Sequence, residues 1–417
     1  MTNEQATLRR ERYESFKANS ALWKTAKKAY HAILDKTNKV DKKLVLFDSY
    51  FGGKYACNPR ALYEQMLRDP KYSDYRFVWA FKKPMTHPER YRIHQQSLPD
   101  HTRTKTVEYS SIKYRRLLMK AGYYITNSIT PDYMVHQDGQ VIVQTWHGTP
   151  LKRLGCDIEL DGNENMTIDQ IHDRYMSRAR KYDHFLSPSD FYTEKLTSAF
   201  ALDKAGVEDI VLQKGYPRND FLFNYTEEDV KRVKSKYGIP EGKKVILYAP
   251  TFRDNRLNDR DMPQIPLDFD RLKQELGDEY VILFRTHYLV RGEVDFSAMD
   301  GFVLDAIAEE DINDLYIISD LLITDYSSVF FDFANLKRPV ILFTFDLNEY
   351  ADEIRGFYFD IRSLPFPIVM DQDELISTVK NMDFHYDDAY KAFNEKFNPL
   401  EDGNSSARVL EEIIREK

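Results

Sequence analysis

The 417-residue chain is 42% hydrophobic and 14% aromatic and carries a formal net charge of -8. This length fits two domains with a core each, and the apolar content excludes a disordered chain. The mean hydropathy of -0.58 and the lack of an apolar run near the roughly 20 residues that span a bilayer exclude a membrane-embedded protein. We expect a cytoplasmic protein, because the polar N-terminus does not resemble a signal peptide and the two cysteines, Cys57 and Cys156, suit a reducing compartment.

The N-terminal segment, residues 1–43, is basic although the whole chain is acidic. It carries eleven Lys and Arg against five Asp and Glu, a balance of +6 that leaves -14 for the rest of the chain. Its Phe16, Trp23, Ala26, Tyr30 and Ile33 recur at helical spacing. This pattern predicts an amphipathic helix, which either lies on an anionic membrane surface or packs on its own domain. Nucleic acid is not an expected partner, because the remainder is acidic and lacks a basic groove.

Short apolar strands alternate with helical stretches in the first half, which predicts a parallel sheet with helices on both faces. The predicted strands are Leu44–Ser49, Arg76–Phe81, Thr104–Glu108, Tyr123–Thr126, Val141–Gln144, His184–Leu186 and Ile210–Leu212. The predicted helices are Pro59–Leu67, Ser110–Ala121 and one that begins near Asp190. No repeat of solenoid period is present.

A second alternation follows the turn-rich segment 215–220, and we place the domain limits at 44–222 and 223–417. Predicted strands of the second domain are Lys244–Tyr248, Tyr280–Phe284, Phe302–Asp305, Leu321–Thr324 and Val340–Phe343. Predicted helices are one that follows an N-cap at Thr226 and ends at Gly238, then Ile312–Ser319 and Val329–Leu336. A last helix, Ala407–Arg415, either closes the second domain or crosses back to the first.

Two histidines are predicted at the carboxyl ends of strands, one in each half of the chain. His147 follows the apolar run Val141–Val143, and the glycine and proline after it prevent that strand from continuing. His287 follows the run Val281–Phe284 in the same way. Open α/β sheets bind ligands at the carboxyl ends of their strands, so this matching placement indicates one cleft between two domains. A histidine there is suited to act as a base, whereas either histidine taken alone is more typical of a structural role.

A serine-rich loop before a predicted helix suits the binding of phosphate. Ser327 and Ser328 follow the strand that ends at Thr324, and the unpaired N–H groups and dipole of the next helix favour an anion. One of these serines is expected to be the N-cap, which is also the common structural role of such a residue. Asp325 would repel a phosphate, so we expect it to orient the loop or a hydroxyl group.

A second serine-rich loop precedes the last helix. Ser405 and Ser406 offer hydroxyl groups, and Arg408 lies in the first turn, where its guanidinium suits an oxyanion. Each of these loops also has an ordinary structural interpretation. Two further loops combine arginine with turn residues and are weaker candidates for substrate binding. Their candidate residues are Arg253, Arg355 and Gly356.

Several other binding sites are not predicted. No G-x-G-x-x-G fingerprint follows the first strand, and residues 51–54 lack the spacing of a Walker motif, which argues against a dehydrogenase or a P-loop ATPase. No cluster of His, Asp and Glu has metal-ligand spacing. We therefore expect basic side chains and helix ends to neutralise a charged substrate, without a tightly held metal.

The chain carries eight short motifs at predicted strand ends and loops. They are FGG with NP (51–53, 58–59), QTWHGTPLKRL (144–154), GYPRND (215–220), YAPTFRD (248–254), RTH (285–287), ITDYSS (323–328), RGFYF (355–359) and DGNSSAR (402–408). Together they resemble the CDP-glycerol glycerophosphotransferase family, the teichoic acid primases and polymerases of Gram-positive cell walls. The motifs occur in the family's order from about residue 44 to the C-terminus, and as a set they are highly specific.

The resemblance implies an α/β protein of GT-B architecture, in which two Rossmann-like domains face each other across a cleft. The N-terminal domain would take the acceptor and the C-terminal domain the donor. The implied reaction transfers an alditol phosphate from CDP-glycerol or CDP-ribitol to a hydroxyl of an undecaprenyl-linked teichoic acid acceptor, releasing CMP without a tightly bound cofactor. A peripheral protein on the inner face of the cell membrane is implied in turn.

The family also implies a role for each matching residue. The histidine that matches His147 is the base that activates the acceptor hydroxyl, and the one that matches His287 contacts the donor's phosphate. A histidine with an unperturbed pKa near roughly 6.5 is suited to accept the proton of an alditol hydroxyl. The other positions expected to bind substrate are Gly148, Thr149, Arg253, Arg285, Thr324, Asp325, Ser327, Ser328, Arg355, Gly356, Ser405, Ser406 and Arg408.

Two other functions are compatible with the same pattern. One is a sugar-nucleotide glycosyltransferase of GT-B fold, and the other is a catalytically silent relative that binds a nucleotide or a cell-wall lipid. Both histidines and both serine-rich loops are present, which argues against the silent relative. The sequence leaves open the choice between glycerol and ribitol, the identity of the acceptor, the number of units added, and whether the chain forms a homo-oligomer.

Overall fold

The structure, a computed structural model, describes residues 39–82, 88–158, 167–251, 266–285, 299–307, 311–347 and 356–414. The amphipathic helix predicted within residues 1–43 lies outside the described residues, although Asp41 already begins the first strand. None of the helices in the described part of the chain combines the length and the apolarity that crossing a bilayer requires.

The first sheet has seven parallel strands in the order β3-β2-β1-β4-β5-β6-β7. The strands are β1 Asp41–Asp48, β2 Arg76–Phe81, β3 Thr104–Glu108, β4 Ala121–Thr126, β5 Val141–Gln144, β6 His184–Ser187 and β7 Val211–Gln213. Every strand predicted in this half is confirmed, although β1 begins at Asp41 instead of Leu44. Val45, Leu46 and Phe47 of β1 are fully buried, as expected for a central strand that is covered on both faces.

The second sheet has six parallel strands in the order β10-β9-β8-β11-β12-β13. The strands are β8 Lys244–Tyr248, β9 Tyr280–Phe284, β10 Val303–Asp305, β11 Leu321–Thr324, β12 Val340–Phe343 and β13 Ile368–Val369. Five of them were predicted, whereas β13 has two residues and is too short to show a hydrophobic period. Buried side chains lie on both faces of this sheet, so it forms the centre of a second core.

Helices cover both faces of the two sheets. They are α1 Cys57–Arg68, α2 Pro88–Ser97, α3 Ile112–Lys120, α4 Ile168–Ala179, α5 Asp190–Ala199, α6 Leu202–Ala205, α7 Asp220–Asn224, α8 Glu227–Lys236, α9 Phe269–Leu276, α10 Ile312–Ile318, α11 Val329–Phe333, α12 Gln372–Lys380, α13 Asp388–Phe397 and α14 Ser405–Ile413. Short 3₁₀ turns lie at Pro70–Tyr72, Gly155–Asp157, Glu208–Ile210, Pro217–Asn219, Ala334–Leu336 and Ile361–Ser363. The predicted N-cap at Thr226 is confirmed, because its side chain accepts the N–H of Asp229.

Both sheets are doubly wound, and this topology decides where a ligand can bind. In the first sheet β1 lies between β2 and β4, and in the second β8 lies between β9 and β11. The chain therefore winds outwards in both directions from each of these two inner strands. Ligands of such sheets bind outside the carboxyl ends of the strands at this switch point. The topology thus predicts a site beyond the ends of β1 and β8.

The C-terminal helix α14 crosses back from the second sheet to the first. Its Val409, Leu410 and Ile413 are buried in the same cluster as Val45 and Phe47 of β1. The amphipathic spacing of these three residues supplies the apolar stripe that faces the first core. The sequence left two placements open for the last helix. In the structure it crosses back to the first domain, and it thereby connects the two domains at the end of the chain.

Candidate active site

A cavity of about 760 Å³ lies between the carboxyl edges of the two sheets. Residues that follow β1 and β5 line its first-domain side, and residues that follow β8, β9 and β11 line the opposite side. The loops after β1, β8 and β11 flank the two switch points. The cavity therefore occupies the position that the topology predicts, and it opens between the domains.

His147 lies in this cavity, in the segment that follows β5. The residue before it, Trp146, has a left-handed backbone with φ 47°. This conformation turns the chain sharply and stacks the two rings with their centroids 4.1 Å apart. The Nδ1 atom of His147 lies 2.9 Å from the main-chain oxygen of Asn127, at the end of β4. Because a carbonyl only accepts hydrogen bonds, Nδ1 carries the proton and Nε2 is the atom left to exchange one.

The surroundings of His147 favour its neutral form. Burial lowers the pKa of the imidazole to about 4, and the positive charge of Arg218 acts in the same direction, against the hydrogen bond to Asn127. At neutral pH the ring is therefore uncharged and Nε2 holds a free lone pair. A neutral imidazole with one nitrogen fixed by a carbonyl is the form that can accept a proton from a hydroxyl group.

Two buried polar residues form hydrogen bonds to the main chain of the turn that carries His147. Asn58 of α1 donates from Nδ2 to the main-chain oxygens of Thr145 at 3.1 Å and Trp146 at 3.2 Å. Arg218 donates from Nη1 to the main-chain oxygen of His147, and its own N–H donates to Oδ1 of Asn58 at 3.0 Å. Both residues belong to motifs quoted above, yet sequence reasoning gave them no role. Their contacts hold the turn that carries His147, and neither residue lines the cavity.

A strained loop after β1 forms the wall beside the histidine. Tyr50 and Phe51 both have left-handed backbones, with φ 49° and 56°. Their N–H groups donate to Oδ1 of Asn127 at 2.8 Å and to Oγ of Ser128 at 2.7 Å, which holds this unfavourable conformation in place. The ring of Tyr50 lies 5.4 Å from the ring of His147. Residues 51–53 belong to a motif quoted above, yet sequence reasoning gave the loop no role, because nothing local shows that it meets the end of β4.

Ser327 and Ser328 line the cavity from the second domain, as predicted for a phosphate-binding loop. Neither hydroxyl makes a hydrogen bond with another described residue, and Ser328 occupies the N-cap position without capping the helix through its side chain. The helix that follows, α11, has five residues, so its dipole is weaker than the sequence suggested. The hydroxyl groups are therefore the chemically important feature of this loop.

Gly148 allows the two domains to approach each other at the cavity. A Cβ atom on this residue would lie 3.0 Å from Oγ of Ser328, which is tighter than an ordinary contact. Next to it Thr149 is buried and also lines the cavity. The glycine thus lets the turn that carries His147 lie close to the hydroxyl group of Ser328 in the second domain.

Thr324 and Asp325 are buried beneath the loop and do not line the cavity. The hydroxyl of Thr324 donates to the main-chain oxygen of Ala249 at 2.7 Å. Oδ1 of Asp325 accepts the N–H groups of Thr251 at 2.8 Å and Tyr326 at 2.6 Å. Asp325 orients the loop, as the sequence indicated, and Thr324 holds the loops after β8 and β11 together.

Arg285 lies at the end of β9 and lines the cavity, as predicted. Its Nη1 donates to the main-chain oxygen of Ala306 at 3.0 Å, which fixes the guanidinium near the cavity wall. Three predicted site residues, Arg253, His287 and Arg355, lie outside the described residues. Among the residues that are described, no group of three or more His, Cys, Asp or Glu side chains is placed to hold a metal ion.

The second serine-rich loop does not reach the cavity. The N–H groups of Ser405 and Ser406 both donate to the carboxylate of Asp220 at 2.7 Å, so this side chain caps α14. Arg408 donates to both carboxylate oxygens of Asp402 at 2.7 Å. These three residues fasten α14 to the segment between the domains. A serine pattern at a helix start looks the same in sequence whether a ligand or a distant carboxylate fills it.

Gly356 also lies away from the cavity lining, in a short contact between the domains. Its main-chain oxygen accepts the N–H of Arg153 at 3.1 Å, and the N–H of Tyr358 donates to Leu151 at 2.9 Å. Gly356 has φ 69°, a conformation that glycine adopts without strain. It therefore links the segment after His147 to the second domain and does not line the cavity.

Comparison with known proteins identifies the family. The model of the family described as CDP-glycerol:poly(glycerophosphate) glycerophosphotransferase matches residues 29–415. The chain belongs to this family. The resemblance stated from the eight motifs is thereby confirmed.

Named relatives agree with this assignment. The chain is 39% identical over 383 residues to a teichoic acid poly(glycerol phosphate) polymerase of Bacillus subtilis, covering 90% of this chain and 49% of the relative. It is 38% identical over 383 residues to a teichoic acid glycerol-phosphate transferase of Staphylococcus aureus, covering 90% of this chain and 94% of that protein. The chain thus spans about half the length of the first relative and nearly all of the second.

A solved structure supports the fold. A histidine variant of the wall teichoic acid polymerase TagF, soaked with CDPG, matches with a TM-score of 0.82 at 34% identity, covering 93% of each chain. Together with the two doubly wound parallel sheets, this match confirms the GT-B architecture that the motifs implied.

Proposed function

We propose that this protein transfers an alditol phosphate from a CDP-alditol to a hydroxyl group of a teichoic acid acceptor and releases CMP. The observation that carries the proposal is the position of His147. A neutral imidazole, held at Nδ1 by a carbonyl, stands in a cavity between two domains. Opposite it lie an arginine and two serine hydroxyls that bond to no other residue in the described part of the chain. The names of the relatives, which act in teichoic acid synthesis, support the same reaction.

The proposed step is a displacement at phosphorus. Nε2 of His147 accepts the proton of the acceptor hydroxyl as its oxygen attacks the phosphorus that carries the alditol. A new P–O bond forms to the acceptor, the P–O bond to CMP breaks, and CMP leaves with the electron pair. Such transfers depend mainly on positioning and on stabilising charge, because the protein has little covalent chemistry to perform.

The diphosphate of the donor is assigned to the second-domain side of the cavity. The hydroxyls of Ser327 and Ser328 donate to phosphate oxygens, and the guanidinium of Arg285 neutralises their charge. His287, outside the described residues, keeps its implied role of contacting the donor's phosphate and stabilising the departing CMP. Asp325 and Thr324 position the loop, and Gly148 provides the room that the reacting groups need.

The two domains divide the substrates between them in this proposal. Residues 44–222 bind the acceptor, and residues 223–417 bind the CDP-alditol, with α14 returning to the first domain. CDP-glycerol is the favoured donor because both relatives described above are named for glycerol phosphate.

The segment before β1 would hold the protein at the inner face of the cell membrane, where a lipid-linked acceptor is found.

A donor panel tests the proposed function. The purified protein is incubated with a lipid-linked teichoic acid acceptor and, in separate reactions, CDP-glycerol, CDP-ribitol and UDP- or CMP-sugars. We expect CMP release coupled to acceptor elongation with a CDP-alditol and none with a UDP-sugar. Transfer of a sugar from its nucleotide would instead establish a glycosyltransferase, and binding without turnover of any donor would establish the silent relative.

Liposome flotation tests the membrane role of the N-terminal segment. The protein is compared with and without residues 1–40, and equal flotation of both forms would exclude this segment as the part that binds the membrane.

A further inference from the structure

Trp146 has a strained backbone that hydrogen bonds with three other residues hold in place. Its φ of 47° is left-handed, a conformation that a bulky side chain rarely adopts. Its N–H donates to Oε1 of Gln144 at 2.9 Å, and its main-chain oxygen accepts Nδ2 of Asn58 and the hydroxyl of Thr145, both at 3.2 Å. Strain of this kind persists only where the surrounding structure imposes it, and it is concentrated at functional sites.

The strained turn places the indole of Trp146 against the imidazole of His147. The two ring centroids are 4.1 Å apart and the ring planes are inclined by 25°, so the rings are stacked. The ring of Phe200, a buried residue of the first core, meets the indole at 77° with 4.7 Å between the centroids. The indole is therefore held between this core and the imidazole.

The positive charge that forms on His147 has no carboxylate partner among the described residues. In Ser-His-Asp sites a carboxylate stabilises the imidazolium, whereas Nδ1 of His147 lies 2.9 Å from the main-chain oxygen of Asn127. None of the described residues that line the cavity is Asp or Glu. Arg218, which is paired with Asp332, opposes a positive charge on the ring. A proton accepted by His147 therefore needs stabilisation from another group.

The other titratable side chains around the imidazole do not provide it. The ring of Tyr50 lies 5.4 Å from the imidazole and is inclined to it by 52°, so it is not stacked on it. The charged residues of the described cavity lining are all basic: Lys54, Lys82, Arg90, Lys152 and Arg285. These positive charges oppose a second one on His147.

The face of an indole attracts a cation through the quadrupole of the ring. The attraction is strongest for tryptophan among the aromatic side chains, and it increases where water is excluded. A neutral imidazole gains little from it, whereas an imidazolium gains all of it. The contact between Trp146 and His147 thus strengthens as the proton arrives, and an interaction that strengthens in the transition state lowers the barrier.

We infer that Trp146 stabilises the imidazolium that His147 becomes when it accepts the proton of the acceptor hydroxyl. The inference rests on the proposed function, in which His147 is the base. Trp146 acts through His147 and is therefore a positioning residue. Its indole face takes the place that a carboxylate has in a Ser-His-Asp site, and the strained turn is what brings the two rings together.

Fluorinated tryptophans test the inference while the shape of the site is kept. Fluorine withdraws electron density from the indole face and weakens its attraction for a cation. Tryptophans with one, two or three fluorine atoms are incorporated at position 146 alone. We expect the single-turnover rate of glycerol-phosphate transfer to fall stepwise along the series, to about one tenth of the wild-type rate. The Kd for CDP-glycerol should stay within about twofold of the wild type.

Trp79 provides the matched control. It is buried in the first core and stacks on Phe47 with 5.3 Å between the ring centroids. The same fluorinated series at position 79 should leave the single-turnover rate unchanged, because no cation forms beside that ring.

The pH profile separates this role from a purely structural one. In the most fluorinated protein at position 146, a weaker attraction for the imidazolium should lower the pKa of His147 and move the acid limb of kcat/KM to lower pH. A loosened turn would instead let water reach the imidazole and raise its pKa towards about 6.5, which moves the limb to higher pH.

The possible results also distinguish this inference from the proposed function. Equal rates along the series at position 146, or an acid limb that moves to higher pH, would overturn the inference and leave the proposed function intact. A rise in acceptor KM at an unchanged single-turnover rate would assign Trp146 to acceptor binding and would likewise overturn it. Failure of the wild-type protein to transfer from any CDP-alditol would overturn the proposed function itself.

Discussion

Arg218 and Asp332 form a buried ion pair between the segment that ends the first domain and α11 of the second, with 2.6 Å between Nη2 and Oδ2. The same guanidinium donates to the main-chain oxygen of His147. Asn219 also donates to Asp332, at 3.2 Å. One buried charge pair therefore fixes the domain contact and the turn that carries His147.

Removal of one partner of this pair should destabilise the protein strongly. Arg218→Ala leaves the Asp332 carboxylate buried without its counter-charge, which typically costs about 3–5 kcal/mol. Urea unfolding measures the loss. Arg174→Ala is the control, because its pair with Asp132 is exposed and should contribute less than about 1 kcal/mol. Similar losses in the two variants would contradict the account of the domain contact.

The acid limb of the pH–rate profile reports the protonation state of His147. Because burial and Arg218 lower its pKa to about 4, the imidazole stays neutral from neutral pH down to about that value. We expect kcat/KM, which follows the free enzyme, to lose little between pH 7 and pH 5 on account of this residue. A fall centred near the ordinary histidine value of about 6.5 would show that His147 is not held neutral as described.

Glu401 should make the fold less stable in alkaline solution. Burial raises the pKa of its carboxyl to about 8, while Oε1 accepts the N–H of Tyr216 at 2.9 Å. A folded-state pKa above the unfolded value contributes stability that is complete below the unfolded pKa and is lost as pH rises through 8. The Tm of Glu401→Gln should therefore fall less than the Tm of the wild type between pH 6 and pH 9. Glu411→Gln, at an exposed position of α14, should follow the wild type, and parallel curves for all three proteins would refute the assignment.

The two serine-rich loops should respond differently to substitution. Ser328→Ala removes a hydroxyl that lines the cavity and should raise the donor KM about tenfold, as expected for one hydrogen bond to a charged group. Ser406→Ala should leave the donor KM unchanged, because Ser406 lies outside the cavity and its N–H is bound by Asp220. Steady-state kinetics with CDP-glycerol measures both, and the reverse order of effects would restore the second loop as the diphosphate site.

The strands and the place of His147 were predictable from sequence because their signals are local. An apolar run such as Val281–Phe284 is long enough to identify a buried parallel strand. The glycine and the proline that follow His147 indicate, within a few positions, that a strand ends there. Helix α11 was less well predicted: the expected helix through Leu336 stops at Phe333 and continues as a 3₁₀ turn.

The rest of the site depends on contacts between distant parts of the chain. The hydrogen bond from His147 to Asn127 spans 20 positions, that from Arg218 to His147 spans 71, and that from Ser405 to Asp220 spans 185. No local pattern encodes such pairings. Lys54 and Lys82 likewise line the same cavity only because β1 and β2 pair in the folded chain.

The most direct test of the account compares transfer and donor binding in His147→Ala. If His147 is the base, transfer of glycerol phosphate to the acceptor should fall by about 10²–10⁴-fold, the contribution typical of a positioned acid or base. The Kd for CDP-glycerol, measured by calorimetry on the same preparation, should remain within about twofold of the wild type. Weakened donor binding together with normal turnover of the bound donor would contradict the central claim, because His147 would then hold the donor instead of activating the acceptor.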